Sequence, residues 1–474
     1  MFFFTYHFFS DTSLSRLGAF GDGFTDDERE VNDRSNTTLL PSSSAASLSK
    51  ASQLSSKAYK PPKTLVFQWP NLLRSTLRYS ISTTFDFNGK YIGWPLERVC
   101  NETEYQPGLV FHCDNNSGGI GNIRNFILTC IRYAIDAGAT GIMLPKIRQC
   151  SEKDLSNLFT TSLQPFDYFF DEQHFRSTMG ASCPRIVIYN FTEDIPNSEN
   201  KIDIKEFYPK DLNNPEEADN RGENRHLDMF RTKFDKWLTE TNRTPKVSRP
   251  VTIRFKWARF FKWPIYRDGP EFAATFGDIL RARKDIADLA ATTLIEMSRY
   301  VGFDPYAQEV PTLEAPYLGV QLRSESDALS FWPSSETQTN GSLEVANKTK
   351  LRYAYLACGN ASDSQQFAEK AWSQLNLNVT SKLDLLKGDD LKRLQDLSWD
   401  QQALVDYLVP SKSTHFTGCS FSTFTMNIAF KRHLMTGGIN TGPWKSPGDA
   451  YSTLVGRYER WRGDWMFMYE CMWP

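Results

Sequence analysis

The sequence predicts an α/β protein made of two Rossmann-like units facing each other across a cleft, and three observations carry the prediction. At 474 residues the chain is longer than one ordinary domain. Residues 109–145 read as an apolar strand, a glycine-rich turn, a helix and a second apolar strand. From residue 311 to residue 435 strand and helix patterns alternate again, as a mostly parallel sheet requires.

Residues 1–60 are rich in Ser, Asp and Thr and are expected to be disordered; Pro61 and Pro62 open the folded part. The N-terminal unit is assigned to 61–310 and the C-terminal unit to 311–474. In the first unit LVFHC (109–113) is a short buried strand, and DNNSGGIGN (114–122) is a turn dense in Asn, Ser and Gly. Ile123, Phe126, Ile127, Cys130, Ile131, Ala134 and Ile135 then recur on one helical face. Gly138 ends that helix, and GIMLP supplies the next strand. After a short helix, RIVIYN (185–190) is a further strand, and the polar stretch 191–250 reads as an insertion or lid. IRFKWARFFKWPIYR (253–267) mixes basic and aromatic residues; without a wider basic field it reads as a packed surface segment, not a nucleic-acid platform. One long helix is expected from Glu271 to Tyr300, with Phe272, Phe276, Ile279, Leu280, Ile286 and Leu289 at helical spacing. In the second unit YLGVQL (317–322), YAYLAC (353–358), NVTSK (378–382) and HFTG (415–418) read as strands, with helices at 365–375, 400–409 and 423–435.

Composition narrows the partners. Lys and Arg total 54 against 56 Asp and Glu, a net charge of −2, which gives no electrostatic case for nucleic acid or an anionic membrane. The 14% aromatic share suits either core side chains or sugar-stacking surfaces. No apolar run reaches the ~18 residues of a membrane span, and the Phe-rich start lacks a basic flank, so neither a transmembrane segment nor a signal peptide is expected. The eight cysteines form no C-x-x-C pair and no zinc spacing, so no metal site is expected; Cys100 and Cys113, close in sequence, are the expected disulfide. Nine N-x-S/T sequons, at Asn36, Asn101, Asn115, Asn190, Asn242, Asn340, Asn347, Asn360 and Asn378, favour passage through the secretory lumen (ER or Golgi), against the missing signal peptide.

In open α/β sheets ligands bind beyond the carboxyl ends of strands, and three segments put polar groups there. The first is Gly118-Gly119-Ile120-Gly121-Asn122, where glycines allow close backbone approach and the following helix offers N–H groups to an anion. It is neither G-x-G-x-x-G nor a P-loop, and it also reads as a plain tight turn. The second is Arg323 after YLGVQL, a planar fork of donors suited to a diphosphate, or else the partner of Glu325 or Asp327 in an ordinary loop ion pair. The third is the start of the 423–435 helix, where Ser422 and Thr423 either cap the helix or offer it to phosphate oxygens.

GGIGNIRNFILTCIRYAIDAGATGIMLPKI, YLGVQLRSESDA and DQQALVDYLVPSKSTHFTGCSFSTFTMNIAFKRHLM resemble the three signature regions of the GDP-fucose O-fucosyltransferase superfamily, loosely from Val66 to Gly438. The resemblance implies a GT-B architecture, with GDP-fucose bound mainly by the C-terminal unit and inverting transfer to a glycan or protein hydroxyl without a divalent metal. The absence of a D-x-D motif is consistent with this. It implies catalytic roles for Arg323 and Asn122, donor contacts for Gly119, Gly121, Gln321, Ser422, Thr423 and Phe424, and a structural role for Asp406. The chain departs from the pattern in three places: Gln321 stands for the usual His, Gly119 for the glutamate base of some relatives, and Cys358-Gly359-Asn360 for an acidic residue. Those departures leave open a non-catalytic nucleotide-sugar- or glycan-binding protein of the same fold, or a transferase using another nucleotide sugar.

Overall fold

The computed structural model describes residues 87, 89–114, 116–151, 161–208, 212, 230–256, 263–304, 316–325, 333–420, 422–436, 449–456 and 472–474. The N-terminal 60 residues and the sequons at Asn36 and Asn115 lie outside them, as do Phe421 and Asp327. Two five-stranded parallel sheets organise the described residues. The first comprises β1 (Gln106–His112), β2 (Ala139–Met143), β3 (Val187–Tyr189), β4 (Ile202–Phe207) and β5 (Val251–Phe255), in the order β3-β2-β1-β5-β4. The second comprises β6 (Leu318–Gln321), β7 (Tyr353–Ala357), β8 (Asn378–Thr380), β9 (His415–Cys419) and β10 (Ser452–Val455), in the order β8-β7-β6-β9-β10. Each sheet reverses its winding at its first strand, so β1/β5 and β6/β9 are the switch points at which such sheets accept ligands.

Helices α1 (Trp94–Glu102), α2 (Ile120–Asp136), α3 (Glu172–Ser182), α4 (Phe230–Glu240), α5 (Pro270–Thr275) and α6 (Lys284–Val301) come from the first half. The second half adds α7 (Ser335–Thr349), α8 (Ala361–Leu375), α9 (Lys382–Leu385), α10 (Gly388–Gln395), α11 (Trp399–Leu408) and α12 (Thr423–Met435). The α2 stripe Ile123, Ile127, Ile131 and Ala134 is fully buried, as its period requires. The opposite, polar face of α2 is buried too, where Asn125 and Thr129 bond Trp473, and on the stripe's edge Arg124 bonds the carbonyls of Gly277, Leu280 and Pro474. After α2, Gly138 turns at φ +74; a side chain there would strike the Glu104 carbonyl.

Four expectations are corrected. The disulfides are Cys100–Cys183 and Cys113–Cys130, not Cys100–Cys113. Strand β1 lies between Cys100 and Cys113, and at roughly 3.3 Å per residue it carries them far apart. Cys130 instead sits on the stripe of α2 that faces β1, with a Cα–Cα distance of 5.6 Å to Cys113. The long helix from Glu271 to Tyr300 is interrupted between α5 and α6. Ala282 pairs with Phe170 as an antiparallel bridge, Arg283 N–H bonds the Phe169 carbonyl, and Gly277 packs against Pro474. These tertiary bonds withdraw 276–283 from a continuous helical ladder. The stretch 191–250, expected as an insertion or lid, supplies strand β4 and helix α4, whose Phe230, Phe234 and Leu238 are buried. Finally, the basic-aromatic segment opens not at the surface but in β5, a central strand with Ile253 and Phe255 buried.

Candidate functional site

All three candidate segments follow switch-point strands. The glycine turn follows β1, Arg323 follows β6, and Ser422–Thr423 follow β9. In the second sheet the last residue of β6, Gln321, is in register with Gly418 of β9, so Arg323 and the start of α12 leave adjacent strands at the same end.

The glycine turn and the N-terminus of α12 meet directly. The Thr423 hydroxyl donates to Asn122 Oδ1 at 2.7 Å, and the Asn427 amide donates to the Gly121 carbonyl at 3.2 Å. A Cβ on Gly121 would lie 2.7 Å from Phe424 N and from the Thr423 carbonyl carbon, so glycine is what permits the two helix starts to touch. Gly118 turns at φ +88, and a Cβ there would meet the Asn122 amide at 2.6 Å. Gly119 differs from both: it has ordinary extended backbone, no side-chain hydrogen bond caps α2 at this end, and among the described residues a Cβ would find no heavy atom within 4 Å. Gly119 is the exposed residue at the start of α2, where the positive end of the helix dipole lies, and the buried residues 120–122 follow it.

From Thr423 the network runs into the second sheet. Ser422 caps α12 through Thr425 N–H, and the Thr425 hydroxyl donates to Gln321 Oε1 at 2.5 Å. Gln321 Nε2 bonds the Leu322 carbonyl, so both ends of this amide are held within the protein. Half-buried Phe424 meets Tyr407 edge-on at 5.4 Å, and the Arg124 guanidinium lies over the Tyr407 ring at 5.9 Å. Arg323 forms an ion pair with Glu325, the local alternative that the sequence offers. Its main chain is clasped by Gln338 of α7: Arg323 N–H donates to Oε1, and Nε2 donates to the Arg323 carbonyl, both at 2.8 Å. Asp406 accepts from the Tyr355 hydroxyl and pairs with Lys382, which holds α11 on β7.

Two groups here escape sequence reading. Gln338 lies in a polar helix without an apolar period, and no motif points to it. His112 ends β1 opposite Arg254 of β5, with Nε2 buried and unbonded, and burial lowers its pKa to about 4. A histidine closing a strand before a turn is the signal that could have found it. Among the described residues no group of three or more His, Cys, Asp or Glu could hold a metal ion, and no helix is long and apolar enough to cross a membrane.

Known proteins were compared with the chain in sequence and in structure. No curated protein matches it significantly in sequence. Among solved structures, POFUT1 in complex with GDP-fucose aligns at 12% identity and a TM-score of 0.44, covering 75% of this chain and all of that one. The fucosyltransferase NodZ from Bradyrhizobium aligns at 17% identity and 0.37, covering 70% and 94%. At these scores the alignments stand as likeness alone. The family model for GDP-fucose protein O-fucosyltransferase, however, matches residues 109–435, a span that opens within β1, closes with α12 and takes in every candidate residue. The chain therefore belongs to the GDP-fucose protein O-fucosyltransferase family and is a glycosyltransferase.

Proposed function

We propose that the protein transfers fucose from GDP-fucose to a hydroxyl of a glycan or protein acceptor, with inversion and without a divalent metal. The observation that carries this reading is the junction of Asn122 with Thr423, where two helix N-termini and the end of β6 converge at the carboxyl ends of switch-point strands. Cleavage of the bond from fucose C1 to the diphosphate leaves negative charge on the leaving oxygen and cationic character on the sugar. Arg323 would neutralise that charge, assisted by the α12 N-terminus, the Thr423 hydroxyl and Asn122, in place of a bound cation. The open space at Gly119 suits a bulky donor or acceptor against the α2 N-terminus. With Gly119 in the turn, the acceptor proton would pass to the departing phosphate.

Purified protein should be stabilised against heat by GDP and GDP-fucose, but not by UDP or UDP-sugars. GDP release from GDP-fucose should persist in excess EDTA. Removing a single electrostatic stabiliser of this kind costs about 10²–10³ in turnover, so Arg323→Ala should lose at least that. Stabilisation by UDP-sugars alone, or turnover abolished by EDTA and restored by a divalent cation, would overturn the reading.

A further inference from the structure

The loop that carries Arg323 is built around a second residue. Glu325 pairs with Arg323 Nη1, and the two side chains are only 18% and 13% exposed, so the pair is largely withdrawn from solvent. On its far side the Glu325 carboxylate is seated against Gly359, just beyond β7. A Cβ on Gly359 would lie 2.6 Å from Glu325 Oε1 and 3.2 Å from the Trp399 ring. Gly359 has no positive φ, so the backbone does not demand glycine; a Cβ there would instead make the carboxylate shift. The Gln338 clasp fixes the Arg323 main chain from α7. Arg323 is thus held at its backbone by one element and at its guanidinium by a carboxylate that a third element makes room for.

We infer that Glu325 is a positioning residue: seated against Gly359, it fixes the plane of the Arg323 guanidinium so that the fork meets the diphosphate without reorganising. This rests on the reading of Arg323 as the group that binds the diphosphate. A guanidinium carries its N–H donors in one rigid plane, so a carboxylate bonded to one nitrogen orients the whole plane. Orientation set before the reaction lowers the barrier, whereas a mobile arginine must be ordered during it.

The test is GDP-fucose hydrolysis with water as acceptor, alongside thermal unfolding with and without GDP. Glu325→Ala should lower kcat at least tenfold while the donor KM moves less than threefold. Glu325→Gln, which keeps an oxygen acceptor in place, should recover most of that loss. Gly359→Ala displaces the carboxylate without removing it and should act like Glu325→Ala, which keeps the test decisive if the alanine variant unfolds. Unchanged kcat in both Glu325→Ala and Gly359→Ala would overturn the inference. So would a gain in rate or a fall in KM, which would make Glu325 a competitor of the diphosphate. Arg323→Ala separates the two levels. If it retains turnover, the role of Arg323 itself fails; if it is inactive while Glu325→Ala is intact, only the positioning role fails.

Discussion

Alanine at each of three glycines in one turn should give three different outcomes, because the surroundings of each glycine differ. At Gly121 the new methyl lies 2.7 Å from backbone atoms of Phe424 and Thr423, where ordinary contact begins near 3.4 Å. Backbone cannot rotate away, so α2 and α12 must part; overpacking of this kind costs up to about 3 kcal/mol. Helix propensity returns at most about 1 kcal/mol, leaving a net loss of about 2 kcal/mol. At Gly118 the positive φ costs about 1–2 kcal/mol. There the obstructing atom is the end of the flexible Asn122 side chain, so the methyl dislodges that amide from Thr423. At Gly119 the methyl meets none of the described residues. Alanine there is a poorer N-cap than glycine but restricts the unfolded chain, and the two effects, each about 0.5–1 kcal/mol, offset. Urea unfolding of the three variants gives the stabilities, and GDP release from GDP-fucose gives the activities. Gly119→Ala should keep its stability yet weaken donor binding or turnover, since its methyl enters the space assigned to ligand. A Gly121→Ala protein as stable as wild type would refute the direct α2–α12 contact. Full activity in a stable Gly119→Ala protein would remove the ligand from the α2 N-terminus.

Other perturbations read the frame around the site. Trp473→Ala removes a fully buried ring packed edge-on against Phe272 and Phe276 and should cost about 3–5 kcal/mol, seen as a lowered urea midpoint. Arg432→Lys replaces a guanidinium that makes five bonds, to Ser452 Oγ and to the carbonyls of Ser411, Ser413, Thr414 and Tyr451. An ammonium has three donors, so at least two buried acceptors go unmet, a loss of about 2–6 kcal/mol in the same assay. Burial lowers the His112 pKa from 6.5 to about 4, so within that window the unfolded chain binds more protons than the folded one. Stability should therefore be complete above pH 6.5 and fall on acidification towards pH 4, by about 3 kcal/mol from His112 alone. Denaturation midpoints across that range should flatten in His112→Gln, with the residual slope coming from His174 and His415, which burial shifts the same way.

What the sequence reveals here is local periodicity, and what it hides is tertiary. Helix α12 spans the residues its pattern predicts, because an apolar helical period and a Ser cap at 422 both lie within the segment. The glycine turn, the stripe of α2 and the strands after 317 are legible for the same reason. The interruption between Glu271 and Tyr300 is not, since helical spacing continues across it and what opposes it is tertiary: the Phe170–Ala282 bridge, the Arg283–Phe169 bond and Gly277 against Pro474. Helix α7, SETQTNGSLEVANKT, has too few apolar residues for a visible stripe, so Gln338 could not be connected with Arg323 in advance. The cysteine pairing is not legible either, because a strand lies between the sequence neighbours Cys100 and Cys113 and carries them apart.

The convergence of these segments bears on how affinity and discrimination divide among them. In this structure Asn122 and Thr423 satisfy one another, and Gln321 is bonded at both ends. On the proposed reading, a donor that engages the Asn122–Thr423 pair must first displace a hydrogen bond the protein already makes, which offsets about 0.5–1.5 kcal/mol of the charge-assisted bond that replaces it. On that reading the larger share of diphosphate recognition falls to groups that carry charge or aligned dipoles, Arg323 and the N-termini of α2 and α12, with Asn122 and Thr423 assisting. Charge-assisted bonds are roughly twice as strong as neutral ones and gain further from burial. Arg323 is largely withdrawn from solvent and already neutralised in the resting protein, which spares part of the desolvation cost that an unpaired guanidinium would carry there. Glu325 supplies that neutralisation, and Gly359 beside it leaves room for the carboxylate.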